Sequence, residues 1–317
     1  MISWLTGSVL YVTTWMGFTV GRLAVKLLPQ RWLFGFADLV ARVGFHCFVG
    51  FRTRSVTNIA AAFGSQLSDS AVEDTARRTL RNFLRSCIEI AIALEISDRE
   101  LRSSIPIVGS EHLDAALAKG AGVLVLSANL GNFFLVGTRL AIEGYANSVL
   151  INQPSDKRLA ELMDNYRLQV RQKTIHAHPR REALRALHHS LRRNEITLII
   201  SDEYRGGQGV EASFFGRTVV ARRGPATLAL RTGAAIVPAY MIRQGNGSLK
   251  LIIEPELKLD RSGKGAAQIN ENVIRMTEWL ERTVRTYPDQ WNWMNIRSWT
   301  TSDAGETAVH DAVHQAM

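Results

Sequence analysis

The spacing of apolar residues divides the chain in two. Through residues 2–21 no Asp, Glu, Lys, Arg or His interrupts the run, a length that suits a helix crossing a hydrocarbon core. Gly7, Gly17 and several Ser and Thr residues dilute its apolar character. Pro29 is placed to open a helix carrying Trp32, Phe36, Leu39 and Val43 at helical intervals, and Ser68 or Ser70 to cap another over about 71–94. In that second helix Leu80, Phe83, Leu84, Cys87, Ile88 and Ala91 share one side. Arg77, Arg78, Arg81 and Arg85 take the other, a face suited to solvent or to lipid headgroups. From about residue 105 the period changes. Short apolar runs at 121–128, 147–152, 195–201, 235–242 and 249–254 have strand length, and helical patterns at 133–143, 156–172, 179–193 and 223–232 lie between them. A last helix is expected over 266–285. Such alternation predicts an α/β domain whose sheet is covered by helices. The expected organisation is a membrane-anchor helix over 1–28, a helical region over 29–110, an α/β domain over 111–299 and a frayed tail over 300–317.

Charge sharpens this picture. The 317 residues carry a formal net charge of +9, which favours anionic partners: nucleic acid, an anionic membrane surface, phosphorylated lipids or an acidic carrier protein. No nucleic-acid-binding module is recognisable, and an anchor argues against one. Arg22, Lys26 and Arg31 follow the charge-free run, so the positive-inside rule places the remainder in the cytoplasm, at the inner membrane. Neither a basic stretch before the run nor a small-residue cleavage site after it suggests a removable signal. Cys47 and Cys87 have no metal-ligand spacing, and their apolar neighbours predict buried free thiols.

The chemistry-bearing segment is Ser127-Ala128-Asn129-Leu130-Gly131-Asn132-Phe133-Phe134, directly after the apolar run 123–126. Downstream come Ser201-Asp202-Glu203, Arg205-Gly206-Gly207-Gln208-Gly209, Phe214-Phe215-Gly216-Arg217, Arg223-Gly224-Pro225-Ala226, the Thr232–Pro238 stretch, and Pro288-Asp289-Gln290-Trp291-Asn292-Trp293-Met294. Upstream, Arg54, Asn58-Ile59 and Phe63 complete the series. This ordered set resembles the lipid A late acyltransferases, a branch of the lysophospholipid acyltransferase superfamily, over roughly residues 1–299. The resemblance implies a mixed sheet covered by helices. It also implies transfer of an acyl chain from acyl carrier protein or coenzyme A to a hydroxyl of a membrane lipid or glycolipid, with no metal or further cofactor.

In that family the strand is followed by a His and, five residues on, by an acid; the His takes the hydroxyl proton and the acid orients it. Here those positions hold Asn129 and Phe134. None of the eight histidines has an acid five residues on, so the dyad is not elsewhere in the sequence. Asn129 can hydrogen-bond a hydroxyl but takes no proton at neutral pH. Two readings stay open: altered chemistry with a base from another element, for which His176, His178, His188 and His189, or Asp202 and Glu203 at a strand end, are available, or a non-catalytic lipid- or carrier-binding homologue. The catalytic candidates are Asn129, at the family's His position, and Asp202, which would support the site from a strand end, and the resemblance places Gly131, Asn132, Gln153, Glu203, Phe215, Gly216, Arg217 and Arg223 around the substrate. Read by themselves, the glycine pairs are turn formers and Phe214-Phe215 is core. Arg180, Arg181, Arg185, Arg192 and Arg193 form either a solvated face or a dock for phosphate or for an acidic carrier protein.

Overall fold

The computed structural model describes residues 2–202, 204, 209–263 and 265–296, with side chains from residue 10 onward. Glu203, the loop 205–208 and the tail from 297 lie outside the described residues. In chain order the elements are α1 (Ile2–Leu27), α2 (Gln30–Cys47), α3 (Val49–Phe63), α4 (Asp69–Ala93), α5 (Asp98–Ser104), β1 (Ile107–Val108) and α6 (Ser110–Leu117). There follow β2 (Val123–Ser127), α7 (Val136–Ile142), β3 (Asn147–Ile151), α8 (Lys157–Gln169), β4 (Lys173–His176), α9 (Arg180–Arg192) and β5 (Ile196–Ile200). The chain closes with β6 (Val210–Phe214), β7 (Arg217–Ala221), α10 (Gly224–Thr232), β8 (Ala235–Arg243), β9 (Leu249–Ile253) and α11 (Gly265–Thr286).

The expected α/β domain is a seven-stranded mixed sheet in the order β1-β9-β8-β2-β5-β3-β4. Only the β8–β9 pairing is antiparallel within it. Helices cover both faces because both faces are apolar. On β2 every residue is buried. Leu124 and Leu126 point into one core cluster with Phe45, Ile59 and Trp279, while Val123 and Val125 point into the other with Leu113, Leu135 and Leu140. Period-2 alternation with no polar face marks a parallel central strand.

Sequence periodicity missed the β6–β7 hairpin. Its two-residue turn is Phe215-Gly216, both at positive φ (54° and 71°), the backbone of a hairpin turn that usually takes Asn-Gly. A phenylalanine there is strained by about 1 kcal/mol or more. Docking onto α11 offsets this: the Phe215 N–H donates to Glu281 at 2.7 Å, and the Arg285 guanidinium lies 4.3 Å from the ring centre. Phe214 and Phe215 are therefore core, their rings packed at a tilt against Phe63, Trp291 and Trp293.

The helical region departs from expectation in orientation. Pro29 does stand at the N-cap of α2, and the Ser68 hydroxyl caps α4. Yet Leu33, Ala37, Ala41 and Phe45 are what α2 buries, while Trp32, Phe36, Leu39 and Val43 face outward at 54–66% exposure. On α4, Arg85 turns to α2 and pairs with Asp38, whereas Phe83 and Cys87 line an open groove. Both cysteines are exposed rather than buried. Burial-type desolvation by the surrounding apolar groups still pushes the Cys87 thiol pKa up. Among the described residues no single helix is long and apolar enough to cross a membrane; α2 with the chain from Val49 to Gln66 passes only as a pair bent by 86°.

Candidate active site

Parallel strands deliver their following loops to one rim, and β2 and β5 are neighbours with Ser127 opposite Ile200. Asn129 and Asp202, each two residues past its strand, are thereby brought together. The Asn129 backbone N–H donates to Asp202 Oδ2 at 2.8 Å and its side-chain Nδ2 donates to Oδ1 at 2.7 Å. Asp202 is fully buried and takes two more donors on Oδ2: Trp291 Nε1 at 2.7 Å and Asn295 Nδ2 at 3.1 Å. Burial pushes its carboxyl pKa up, against the pull of the Trp291 and Asn129 hydrogen bonds. Tyr204 beside it is raised too, first by burial and then by the charge of Asp202. Behind the carboxylate a cavity of about 10 Å³, bounded by Ser127, Ser201 and Tyr204, has room for about one water.

The Asn129–Asp202 contact has a specific geometry. In asparagine Cγ carries Oδ1 and Nδ2; in histidine the same Cγ carries Cδ2 and Nδ1–H. The Asn129 Nδ2 thus occupies the place of an imidazole Nδ1–H and makes the bond to an acid that orients such a ring. What asparagine lacks is the distal nitrogen, the proton acceptor. The orienting carboxylate comes from the end of β5. Phe134, at the family's acid position, points elsewhere: it stacks on Phe133 at 4.0 Å and is 37% exposed.

Gly131 and Asn132 hold the loop rather than face outward. Gly131 has φ 56°, and a Cβ there would lie 1.8 Å from the Met241 carbonyl oxygen, so only glycine lets β8 approach this closely. Asn132 is fully buried, its backbone N–H bonding Met241 O at 3.0 Å and its Nδ2 bonding Glu89 at 2.8 Å. Glu89 forks onto the Arg243 guanidinium, which ties α4, β8 and the loop into one buried unit. This clamp was not foreseen; the only signal was a lone acid in the apolar stretch 87–94.

The segment 288–296 closes over the site. Gln290 exchanges two hydrogen bonds with the Arg243 backbone and its carbonyl accepts from Gly131 N–H at 2.8 Å. Asn292 N–H donates to the Asn129 carbonyl at 3.0 Å, and Asn58 on α3 holds the Trp293 and Ile296 carbonyls. The motif residues Asn58, Gln290 and Trp291 thus act as supports of Asn129 and Asp202. Elsewhere, Gln153 is exposed on the same rim beyond β3, and Arg223 is exposed at the start of α10. Arg217 donates to Ala61 O at 3.1 Å. Of the candidate bases, His176 pairs with Asp164 at 3.1 Å on β4, three strands from β2 or about 14 Å by strand spacing. His178, His188 and His189 are exposed at and along α9. Asn129 and Asp202 therefore keep polar company without a histidine among the partners described.

Beside this polar cluster lies an apolar groove of about 550 Å³ between α1, α2, α4 and α8. Phe134 and Leu135, from the same loop as Asn129, form part of its wall, with Phe18, Phe36, Phe83 and Tyr166. Its size and lining suit an extended hydrocarbon chain. Together the two features can orient a hydroxyl next to an acyl chain.

Comparison with known proteins gives a consistent result. The family described as bacterial lipid A biosynthesis acyltransferase matches residues 3–301. The chain is 27% identical over 239 residues to the phosphatidylinositol mannoside acyltransferase of Mycobacterium tuberculosis, covering 74% of each chain. It is 23% identical over 282 residues to the enzyme of the same name from Mycolicibacterium smegmatis, covering 87% of this chain and 88% of that one.

Proposed function

The chain belongs to the bacterial lipid A biosynthesis acyltransferase family, and on that premise we propose that it moves an acyl chain from an acyl thioester to a hydroxyl of a membrane glycolipid, slowly, through a site that orients but does not deprotonate. The donor is acyl carrier protein or coenzyme A, and the chain works from the cytoplasmic side of the inner membrane, held there by its N-terminal region. Its basic surfaces suit an acidic donor or a phosphorylated acceptor. The apolar groove seats the acyl chain. Asn129 Oδ1 accepts a hydrogen bond from the attacking hydroxyl and Asp202 fixes the amide through Nδ2; the ester C–O bond forms as the thioester C–S bond breaks, the hydroxyl proton leaves with the departing thiolate as the free thiol, and proximity supplies the acceleration.

The observation that carries this reading is the 2.7 Å bond from Asn129 Nδ2 to the buried Asp202. It supports retention of the orienting half of a base–acid pair and loss of the proton-accepting half. A second reading, a non-catalytic lipid-binding relative, has one observation in its favour: all four donors around Asp202 are already satisfied within the protein. The test is mass spectrometry of lipids after incubating the detergent-purified chain with acyl thioesters and a panel of hydroxylated glycolipids. Wild type is expected to give a weak product that Asn129→Asp abolishes and Asn129→His increases. No product from wild type or Asn129→His, with lipid still co-purifying, would establish the binding-only reading instead.

A further inference from the structure

Exposed large apolar side chains concentrate in one region: of nineteen among the described residues, fourteen fall within residues 10–49. On α1 the positions that turn inward recur at Thr14, Phe18, Gly21 and Val25, all on the groove, and the ion pairs of Arg22 and Lys26 with Glu95 clamp the same face to the body. The opposite side shows Val12, Trp15, Met16, Leu23 and Leu27 to solvent at 46–70%. On α2 the outward stripe is Trp32, Phe36, Leu39 and Val43, and the exposed Cys47 continues it one turn further. The bend between α2 and α3 then presents Phe48 and Val49 at 52% and 55% exposure. The groove opens onto this same surface, since Val20, Phe36 and Phe83 both line it and lie exposed.

A helix apolar on both sides needs a cover on each, and the charges around this face say which. Residues 1–63 hold six Lys and Arg against a single acid, Asp38, and Arg85 already pairs with that acid. Arg31 and Arg42 flank the α2 stripe, exposed and without a carboxylate partner among the described residues. A second copy of the chain would bring these like charges together across a two-fold axis. Anionic headgroups would meet them with opposite sign.

We infer that the outer faces of α1 and α2 and the α2–α3 bend form an in-plane seat in the headgroup boundary of an anionic bilayer, with the groove mouth turned toward the lipid chains. The anchor is thus a surface lying in the leaflet rather than a helix crossing it, an arrangement typical of amphipathic interfacial helices. Acyl chains reach the groove laterally without passing through water. This rests on the reading that the acceptor is a membrane glycolipid.

The test uses the full-length protein with phosphatidylcholine vesicles, with and without about a third phosphatidylglycerol. Wild type is expected to float with the anionic vesicles and less with neutral ones. Trp32→Glu/Leu39→Glu, whose side chains touch neither groove nor site, is expected to lower partitioning by about a hundredfold while leaving the unfolding midpoint unchanged. Cys47 is a native reporter: a water-soluble maleimide should label it readily in detergent-free monomer and slowly on vesicles. Binding that survives the double substitution, with Cys47 labelled as fast as in solution, would overturn the inference in favour of α1 crossing alone. A wild-type dimer that ignores vesicles would overturn it in favour of a second copy. Normal vesicle binding without any acyl transfer would leave the seat intact and remove only the proposed function.

Discussion

The polar cluster around Asn129 and the apolar groove beside it share one loop but differ in how complete they are. In the cluster Asp202 takes four hydrogen bonds from within the protein, and no histidine is among the described partners. In the groove about 550 Å³ is lined mostly by apolar groups that no described residue fills. The pivot is the five-residue step from Asn129 to Phe134: one end is an amide that bonds Asp202, the other an aromatic ring in the groove wall. Among the described residues, binding and orientation are therefore the parts of acyl transfer with groups in place, and Asn129 itself takes no proton.

The comparison is broken most sharply by giving the cluster its base. Asn129→His should place Nδ1–H on Asp202 and Nε2 toward the acceptor, raising acyl transfer by about 10²- to 10⁴-fold, the usual worth of a positioned base. Adding Asp202→Asn in that background should remove most of the gain, because the ring loses its orienting acid. Steady-state product formation measures both, and no gain from Asn129→His would sink the claim that the geometry is retained. Next in size is the support of the cluster. Asp202→Ala strands the N–H donors of Trp291, Asn129 and Asn295 in a buried setting, and should destabilise by about 3 kcal/mol or more. Urea unfolding reads this directly; a loss under about 1 kcal/mol would mean the donors find other partners.

A smaller effect is expected on the groove side. A Cβ on Gly21 would lie 3.5 Å from Ala91 Cβ, an ordinary contact, so Gly21→Leu keeps α1 in place and puts its branch into the groove. Helix stability should rise by about 1 kcal/mol from losing glycine, while affinity for a long-chain acyl thioester falls about tenfold. Equilibrium binding with thioesters of increasing chain length tests it: an unchanged affinity for the longest chain would show that the chain lies elsewhere.

The two regions were also unequally legible in the sequence. The strands 121–128, 147–152, 195–201, 235–242 and 249–254 were readable because a central strand buried on both sides is a short unbroken apolar run, and all five are found within a residue or two. The hairpin at 210–221 was not, because its turn uses Phe215 at positive φ, where only tertiary contacts with Glu281 and Arg285 make that residue tolerable. Asn129 and Asp202 were named from the ordered motifs, but nothing local says that residues 73 apart donate and accept. Periodicity on α2 gave a helix but not which of its sides is buried, since Trp32, Phe36, Leu39 and Val43 on the outward side are as apolar as the inward ones. Only packing reveals which apolar stripe is left over.

The finest distinction concerns two carboxylates whose pH dependence should have opposite sign. On Asp38 the hydrogen bond from Arg85 holds the pKa below its ordinary value of 3.8. Its stabilisation is therefore fully present above that value and is lost as pH falls through the lower, folded pKa. On Asp202 burial raises the pKa, so the folded protein keeps a proton where the unfolded chain has released it. That stabilisation is present below 3.8 and is lost as pH rises through the higher, folded pKa. Urea unfolding from about pH 3 to about pH 7 should show Asp38→Asn flattening the acid limb and Asp202→Asn flattening the limb above it. If Asp202→Asn instead flattened the acid limb, the N–H donors would outweigh burial, and the carboxylate would be held charged as a fixed orienting group throughout. That outcome would make the cluster a site still poised for an imidazole, and would draw the two regions closer together than burial alone suggests.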